Sequence, residues 1–237
     1  MRHKIMMTGL LLAPVLVVVL VVAGYVYFSA KPAPTTSHAP APQHSASALP
    51  SPSPTLGPWK HIESRSQDPA PLNVAELFPR QFTNGGNAGV RTVDKTSTNC
   101  PRDVFGSKLA AAVRKADCTQ VLRASYLSTD RKIMSTVGVL NLTDATAAEH
   151  AGRVSGATEF IKQLPAAHGP TKNLSKGTGI VEAEFKGHYL ILIWTEFANL
   201  KAPSGKSQRK KLETFSADLI AGTVNVSLTN RMVTGRP

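Results

Sequence analysis

The chain of 237 residues has a net charge of +12, from 27 Lys+Arg against 15 Asp+Glu, and it contains 2 cysteines. A hydrophobic content of 42% excludes a wholly disordered or collagen-like chain, and two cysteines exclude a disulfide-dense scaffold or a multi-cysteine metal site. Because the first 30 residues are almost uncharged and the next 40 hold about half the prolines, at most about 165 residues remain for one modest core.

An uncharged stretch of 24 residues, from residue 5 to residue 28, predicts a transmembrane helix. At about 1.5 Å per residue this helix is about 36 Å long, enough to cross a hydrocarbon core of about 30 Å. A signal peptide has a shorter apolar region of about 7 to 15 residues, so we favour an uncleaved single-pass anchor and keep cleavage as the alternative. Arg2 and Lys4 predict a cytoplasmic tail of residues 1–4 and an extracytoplasmic C-terminal part at the plasma membrane.

Residues 29–71 are rich in Pro, Ala and Ser and predict a disordered linker. Eight prolines fall within residues 31–58, where large apolar side chains are almost lacking. Such a composition cannot bury enough surface to offset the entropy of ordering, so the segment is expected to be extended and similar to polyproline II. It is either a spacer that lifts the following domain from the membrane or a tether of arbitrary length.

Residues 72–237 carry the periodic patterns of an extracytoplasmic α+β domain. Apolar spacing and turn signals predict, in chain order, a helix over 105–116 with Asp103 as N-cap, strands over 121–126 and 133–142, a helix over 143–161, strands over 180–185 and 189–197, and a helix over 212–226. The order α-β-β-α-β-β-α predicts a four-stranded antiparallel sheet with helices on one face, preceded by one transmembrane helix.

The two halves of this pattern suggest a duplicated hairpin-helix unit, although a chance similarity of two short hairpins stays open. The matched residues are Leu122, Ala124 and Tyr126 with Val181, Ala183 and Phe185, and Arg123 and Ser125 with Glu182 and Glu184. The second, polar set is predicted to lie on a solvated sheet face. Residues 189–197 are apolar on both faces, so a second cover is needed, either residues 72–93 or a partner surface.

Cys100 and Cys118 are predicted to form a disulfide, because two cysteines outside the cytoplasm lie in an oxidising setting. A continuous helix between them would separate their Cα atoms by about 25 Å, far beyond the roughly 6 Å that a disulfide requires. The bond therefore requires a non-helical start after Cys100, which Pro101 and Gly106 permit. A nucleophilic cysteine is the alternative.

The sequence contains no recognisable catalytic or metal-binding motif. Its seven histidines are scattered without a pair at metal-ligand spacing, and Gly-x-Ser-x-Gly, P-loop and dinucleotide fingerprints are absent. We therefore expect no catalytic residue, no metal and no cofactor. The alternative is a cell-envelope enzyme whose active site is assembled from dispersed residues such as His150, His188 and Glu182.

Lys206, Arg209, Lys210 and Lys211 form the only dense cluster of basic residues in residues 72–237, which carry 22 Lys+Arg against 13 Asp+Glu. Because cations at a helix start oppose the helix dipole, the cluster is expected in a solvated loop and first turn. Outside the membrane such a patch suits an anionic cell-wall polymer or lipid headgroups, or simply keeps the surface soluble. Nucleic acid is not an expected partner, because no aromatic interleaving or nucleic-acid motif is present.

The arrangement of anchor, tether and small two-cysteine domain resembles uncharacterised single-pass membrane proteins of actinobacteria. The runs Cys118-Thr-Gln-Val-Leu-Arg-Ala-Ser-Tyr and Thr136-Val-Gly-Val-Leu-Asn-Leu are similar to segments of such proteins, within a resemblance over about residues 72–234. This resemblance implies no assigned activity. A more distant similarity to extracellular sensor domains of mycobacterial receptor kinases implies ligand or partner sensing.

Together these patterns predict a non-enzymatic, membrane-anchored binding or sensing domain of the cell envelope. It would use an open sheet face and its basic surface to contact an anionic cell-wall polymer or another envelope protein.

Overall fold

The computed structural model describes residues 57–237. Residues 1–56 lie outside the described residues. They include the predicted tail, the predicted transmembrane helix over residues 5–28 and the larger part of the predicted linker. Within residues 57–237, no helix is long and apolar enough to cross a membrane.

The described chain forms an α+β fold with short helices around a large sheet. In chain order the elements are a 3₁₀-helix Lys60–Ile62, α1 Val74–Leu77, β1 Gln81–Asn84, β2 Asn87–Ser97, α2 Cys100–Asp103, β3 Val104–Phe105, α3 Ser107–Lys115, β4 Gln120–Ser128, β5 Ile133–Asn141, α4 Ala145–Val154, β6 Phe160–Ile161, a 3₁₀-helix Pro170–Asn173, β7 Gly179–Lys186, β8 Tyr189–Phe197, α5 Gly205–Ala221 and α6 Val224–Thr234.

The main sheet has six strands in the order β1-β2-β4-β5-β8-β7, and β3 and β6 form a second, two-stranded sheet. All pairs are antiparallel. The predicted four-stranded sheet is therefore wrong, because residues 81–97 add the hairpin β1–β2 to one side. That hairpin turns at Gly85 and Gly86, both at positive φ, and the outer half of β2 is exposed and lacks clear hydrophobic alternation.

Both faces of the main sheet are covered, so the predicted one-sided arrangement is also wrong. The first core lies between the sheet and α5, α6 and α1, and includes Leu122, Tyr126, Tyr189, Ile191, Ile193, Phe215, Leu219 and Leu228. The second core lies between the sheet and α3, α4 and β6, and includes Val121, Leu140, Leu190, Leu192, Leu109, Val113, Ala148 and Ile161. Both apolar rows of β8 are thus buried within the chain, and residues 72–93 contribute Leu72, Leu77, Phe78 and Phe82 to the first core.

The face that was predicted to be solvated is buried in β4. Arg123 is 5% exposed, and its guanidinium pairs with Asp103 and donates to the Lys162 carbonyl over 2.9 Å. Ser125 is fully buried, and its hydroxyl lies 2.8 Å from the Thr136 hydroxyl. Side chains of β4 do alternate between the two faces of the sheet. Its polar side chains, however, form hydrogen bonds with residues distant in sequence and not with water.

The residue matching of the proposed duplication is wrong. The order α3-β4-β5-α4-β7-β8-α5 is present, with β3, β6 and short 3₁₀ turns added. However, Leu122, Ala124 and Tyr126 belong to the first core, whereas Val181, Ala183 and Phe185 pack against the second. The two hairpins therefore do not present equivalent residues to the same face.

Three helices begin or end at residues other than the predicted ones. Asp103 does not cap α3, because it pairs with Arg123; Glu159 instead accepts the backbone N–H of Leu109 over 2.7 Å. The predicted helix over 143–161 begins as expected, with Asp144 capping Ala147 N, but ends at Val154. The predicted helix over 212–226 is part of two helices, α5 and α6, which meet near residue 222.

The predicted disulfide between Cys100 and Cys118 is present, with Cα atoms 6.1 Å apart. Its two ends lie at the start of α2 and just after α3, and Gly106 at a φ of 93° breaks the helical path between them. Cys100 is fully buried in the second core. The disulfide therefore connects the start of α2 to the residues just after α3, and its role is structural. We call the segment of α2, β3 and α3 the helical corner.

Candidate functional site

The predicted basic patch lies at the start of α5. Lys206, Arg209, Lys210 and Lys211 are all exposed and lie within the first turns of a helix that begins at Gly205, not in a loop. The first turn contains no acidic residue, and the N-cap residue Ser204 makes no side-chain capping bond. Lys206 thus adds a positive charge at the positive end of the helix dipole, whereas Arg209, Lys210 and Lys211 follow in the next turn, where the dipole effect is weak. A bound anion would offset this concentration of positive charge.

An open groove lies between this helix start and one end of the main sheet. Two adjoining cavities of about 430 and 490 Å³ share Phe197, Asn199 and Lys211 in their linings. We define the basic groove by Arg131, Lys132, Phe197, Asn199, Lys201 and Lys211. The groove combines four cationic side chains, one aromatic ring and one amide, a set that suits an anionic ligand with some apolar surface.

Two ordered loops bring the groove residues together. In the β4–β5 turn, Ser128 Oγ donates to Asp130 Oδ1 over 2.7 Å, and Arg131 takes a positive φ of 59°. At the end of β8, Ala198 N donates to the carbonyl of Lys132 over 2.8 Å, so the second loop is fixed beside the first.

The second loop is shaped by the residues that follow β8. Lys201 N donates to Asn199 Oδ1 over 3.1 Å, and Leu200 takes a positive φ of 65°. Ser204 N donates to Gln208 Oε1 over 2.9 Å at the entry to α5. These local bonds hold the cationic side chains on a defined backbone.

The groove has an excess of positive charge. Asp130 is the carboxylate beside it, and the pKa of Asp130 is lowered chiefly by the Ser128 hydroxyl, with smaller contributions from Lys132 and Lys211. Lys132 Nζ lies 3.7 Å from Asp130 Oδ2. Within residues 57–237, Arg131, Lys201 and Lys211 make no ion pair, so three of the four cations are open to a ligand.

The structure divides the predicted patch between two places. Lys211 lines the basic groove, whereas Arg209 lines a separate cleft; Lys206 and Lys210 line neither. Sequence reasoning missed Arg131, Lys132 and Lys201. The available signal was the position of the first two in a hairpin turn, but only the pairing of β5 with β8 shows that this turn lies beside α5.

In the part of the chain that the structure describes, the residues proposed for a dispersed active site lie in three separate places. His188 is fully buried and its Nδ1 lies 3.0 Å from the Ile62 carbonyl. His150 lines a cavity of about 320 Å³ with Lys115 and Asp144, whereas Glu182 lines a cleft beside β7. Among the described residues, no group of three or more His, Cys, Asp or Glu is placed to hold a metal ion.

No protein-family model matches the chain, and comparisons with curated proteins and with solved structures give no match either.

Proposed function

We propose that the chain is a non-enzymatic, membrane-anchored binding domain of the cell envelope that recognises an anionic polymer through the basic groove. The observation that carries this proposal is the convergence of Arg131, Lys201 and Lys211, without ion pairs, on one groove at the positive end of α5. The predicted anchor, linker and extracytoplasmic placement are part of the proposal, as is the resemblance to actinobacterial membrane proteins.

The groove favours a polymer over a single small anion because its cations are spread along two adjoining cavities. Arg131 and Lys132 line the first cavity, Lys201 lines the second, and Lys211 lines both. A chain with repeated anionic groups can contact all four, and each neutralised anionic group adds to the affinity. Because both cavities are open to solvent, a polymer chain can lie across them without passing through a narrow entrance.

The test is a binding titration of the purified full chain with soluble polyphosphate as a defined anionic polymer. The double variant Arg131→Glu with Lys211→Glu is compared with the control Lys206→Glu with Lys210→Glu, which makes the same charge change outside the groove. We expect the groove variant to bind at least about tenfold more weakly, with a smaller dependence on salt.

Equal losses in the two double variants would show that net charge alone determines binding and would overturn the assignment to the groove. Binding of neutral dextran with the same affinity as polyphosphate would overturn the anionic partner.

A further inference from the structure

The six-stranded sheet has two edges, and they are not equally protected. On one side β1 covers only part of β2, whose open remainder carries a register irregularity between Arg91 and Val93 and the charged residues Asp94 and Lys95. On the other side β7 runs for eight residues without a proline and pairs with β8 without irregularity. Proteins commonly protect sheet edges by shortness, bulges and charge. β7 carries charges at Glu182, Glu184 and Lys186, but it is neither short nor bulged, so it is the edge more able to accept another strand, provided that this strand has complementary charge.

The outward backbone groups of β7 can be identified from its turn. Gly187 and His188 form a two-residue turn, with Lys186 opposite Tyr189. The residues that flank such a turn exchange hydrogen bonds with each other, and the bonding side alternates along the strand. The N–H and C=O groups of Val181, Ala183 and Phe185 therefore point away from β8, and within the described chain none of them has a backbone partner outside the strand.

A cleft of about 370 Å³ lies along the first half of this edge. Gly179 to Glu182 line it, with Arg209 and Glu213 of α5 on one side and Ala157 and Trp194 on the other. Successive side chains of an added strand would point alternately toward the two sides. One row would meet carboxylates, and the other would meet apolar surface.

Within residues 57–237, Glu182, Glu184 and Glu213 make no ion pair, although Lys186 lies near enough to interact with Glu184. Burial raises the pKa of Glu182, and repulsion from Glu213 and Glu184 raises it further, against the opposing effects of the Ser216 hydroxyl and Lys210. Arg209 is the one basic residue in the cleft lining. In a domain with a large excess of Lys and Arg, this acidic strip fits a partner that brings its own cations.

A second copy of this chain does not fit the same edge well. The antiparallel register that pairs the most residues of two β7 strands is centred on Ala183, and it would set Glu182 of one copy against Glu184 of the other. Like charges directly opposite each other destabilise a strand pair. The occupant must instead carry the opposite charge.

We propose that β7 accepts an extended segment of a partner protein as an added strand, in which Lys or Arg alternates with small apolar residues. Main-chain hydrogen bonds to Val181, Ala183 and Phe185 would supply affinity, and contacts of the basic row with Glu182, Glu184 and Glu213 would supply specificity. This surface and its ligand are independent of the basic groove and its anionic polymer.

The test uses a synthetic eight-residue peptide in which Lys and Val alternate, titrated into the isotopically labelled full chain and followed by amide NMR shifts. We expect shifts centred on Gly179–Lys186. Ala183→Pro removes an outward N–H while leaving the bonds to β8, since edge strands tolerate proline at such positions. Ala183→Pro should weaken the binding of the peptide at least about tenfold, whereas the matched control Ala183→Thr should leave the affinity unchanged.

A charge exchange keeps the proposal testable if Ala183→Pro does not fold. The double variant Glu182→Lys with Glu184→Lys should no longer bind the Lys-Val peptide and should bind a peptide in which Glu and Val alternate. Shifts centred on the basic groove, no saturable shift, or equal peptide affinity in Ala183→Pro and Ala183→Thr would overturn the proposal. The peptide test and the polyphosphate titration use different ligands and different variants, so the two proposals can fail separately.

Discussion

Arg231 is a fully buried arginine whose guanidinium connects α6 to the segment before the main sheet. It lies 2.9 Å from Asp68 Oδ1 and 2.8 Å from Glu76 Oε2, and it donates to the carbonyls of Ala70 and Pro71 over 2.8 and 3.1 Å. Two carboxylates and two carbonyls therefore satisfy this buried charge. Removal of the arginine would leave both carboxylates poorly compensated in the interior.

We predict that Arg231→Met lowers the free energy of unfolding by about 3 to 5 kcal/mol, the cost of breaking a buried ion pair from one side. Chemical denaturation of the purified protein measures this loss. The control Arg236→Met changes an exposed arginine in the same part of the chain and should alter stability by less than about 0.5 kcal/mol. A similar small effect of both variants would contradict the structural role of Arg231.

His188 is a buried histidine that makes stability depend on pH. Burial lowers its pKa; the hydrogen bond to the Ile62 carbonyl and the charge of Asp68 oppose this, whereas Arg65 and Arg231 lower the pKa further. The folded state therefore binds this proton less readily than the unfolded state. Stability from this group is present above the unfolded pKa of about 6.5 and is lost as the pH falls through and below that value.

We predict that His188→Asn, which can keep a donor near the Ile62 carbonyl, removes this acid sensitivity. Unfolding free energies at pH 7.5 and pH 5, both about one unit or more from the ordinary histidine pKa, should differ less in the variant than in the unchanged protein. The raised pKa values of Glu182 and Glu196 make acid pH favour the folded state, which is opposite to the effect of His188. Both glutamates are present in the variant and in the unchanged protein, so the difference between the two proteins reports on the histidine. Equal pH profiles would argue against this origin.

The pair of Asp103 and Arg123 shows why some residue roles could not be predicted from the sequence. Asp103 stands before a helical pattern and has a side chain suited to capping, so the local sequence predicts that role for it. Arg123 alternates with apolar residues, a pattern that predicts a solvated sheet face. Their contact depends on how α2 packs against β4, which no local pattern contains.

At the scale of elements, the hairpins β4–β5 and β7–β8 were predicted because their turns and alternation are local signals. The hairpin β1–β2 was not, because its exposed polar residues obscure the alternation. The start of α5 was misplaced because Lys206 and its neighbours weaken a helix terminus electrostatically. Packing of Leu212, Phe215 and Leu219 into the first core outweighs that cost.

The helical corner formed by α2, β3 and α3 depends on the Cys100–Cys118 disulfide. We predict that reduction lowers the free energy of unfolding by about 3 kcal/mol, the chain-entropy value for a loop of this size. Denaturation with and without reductant measures the loss, and thiol titration of the unreduced protein should find no reactive cysteine. The double variant Cys100→Ser with Cys118→Ser should be insensitive to reductant; two reactive thiols in the unreduced protein would contradict the bond.

At the scale of the whole molecule, the main sheet is enclosed on both faces, and its edges are open within residues 57–237. Every residue of β5 is buried, as are all residues of β8 before Phe197, whereas β7 is mostly half-buried. The basic groove belongs to this scale too, because its residues come from a hairpin turn, a strand end and a helix. For that reason the sequence predicts Lys211 as part of a basic patch but does not show that Arg131 lies in the same groove.

We predict that amide hydrogen exchange follows this arrangement. Amides of β5 and β8 should exchange only with global unfolding, because exposing them requires separating both cores. The amides of Val181, Ala183 and Phe185 should exchange faster than those of Glu182 and Glu184 on the same strand, because no strand among residues 57–237 pairs with that side of β7. Uniform protection along β7 would contradict an open edge.

Arg231 comes 163 positions after Asp68 in the chain, so the two partners are synthesised at widely different times. Asp68 and Glu76 leave the ribosome long before the guanidinium that neutralises them exists. The early segment therefore cannot reach its final packing as it emerges, and the domain can close only after α6 has been made. A translation pause or a chain break before Arg231 would leave an incomplete, acid-lined interior accessible to proteases and chaperones.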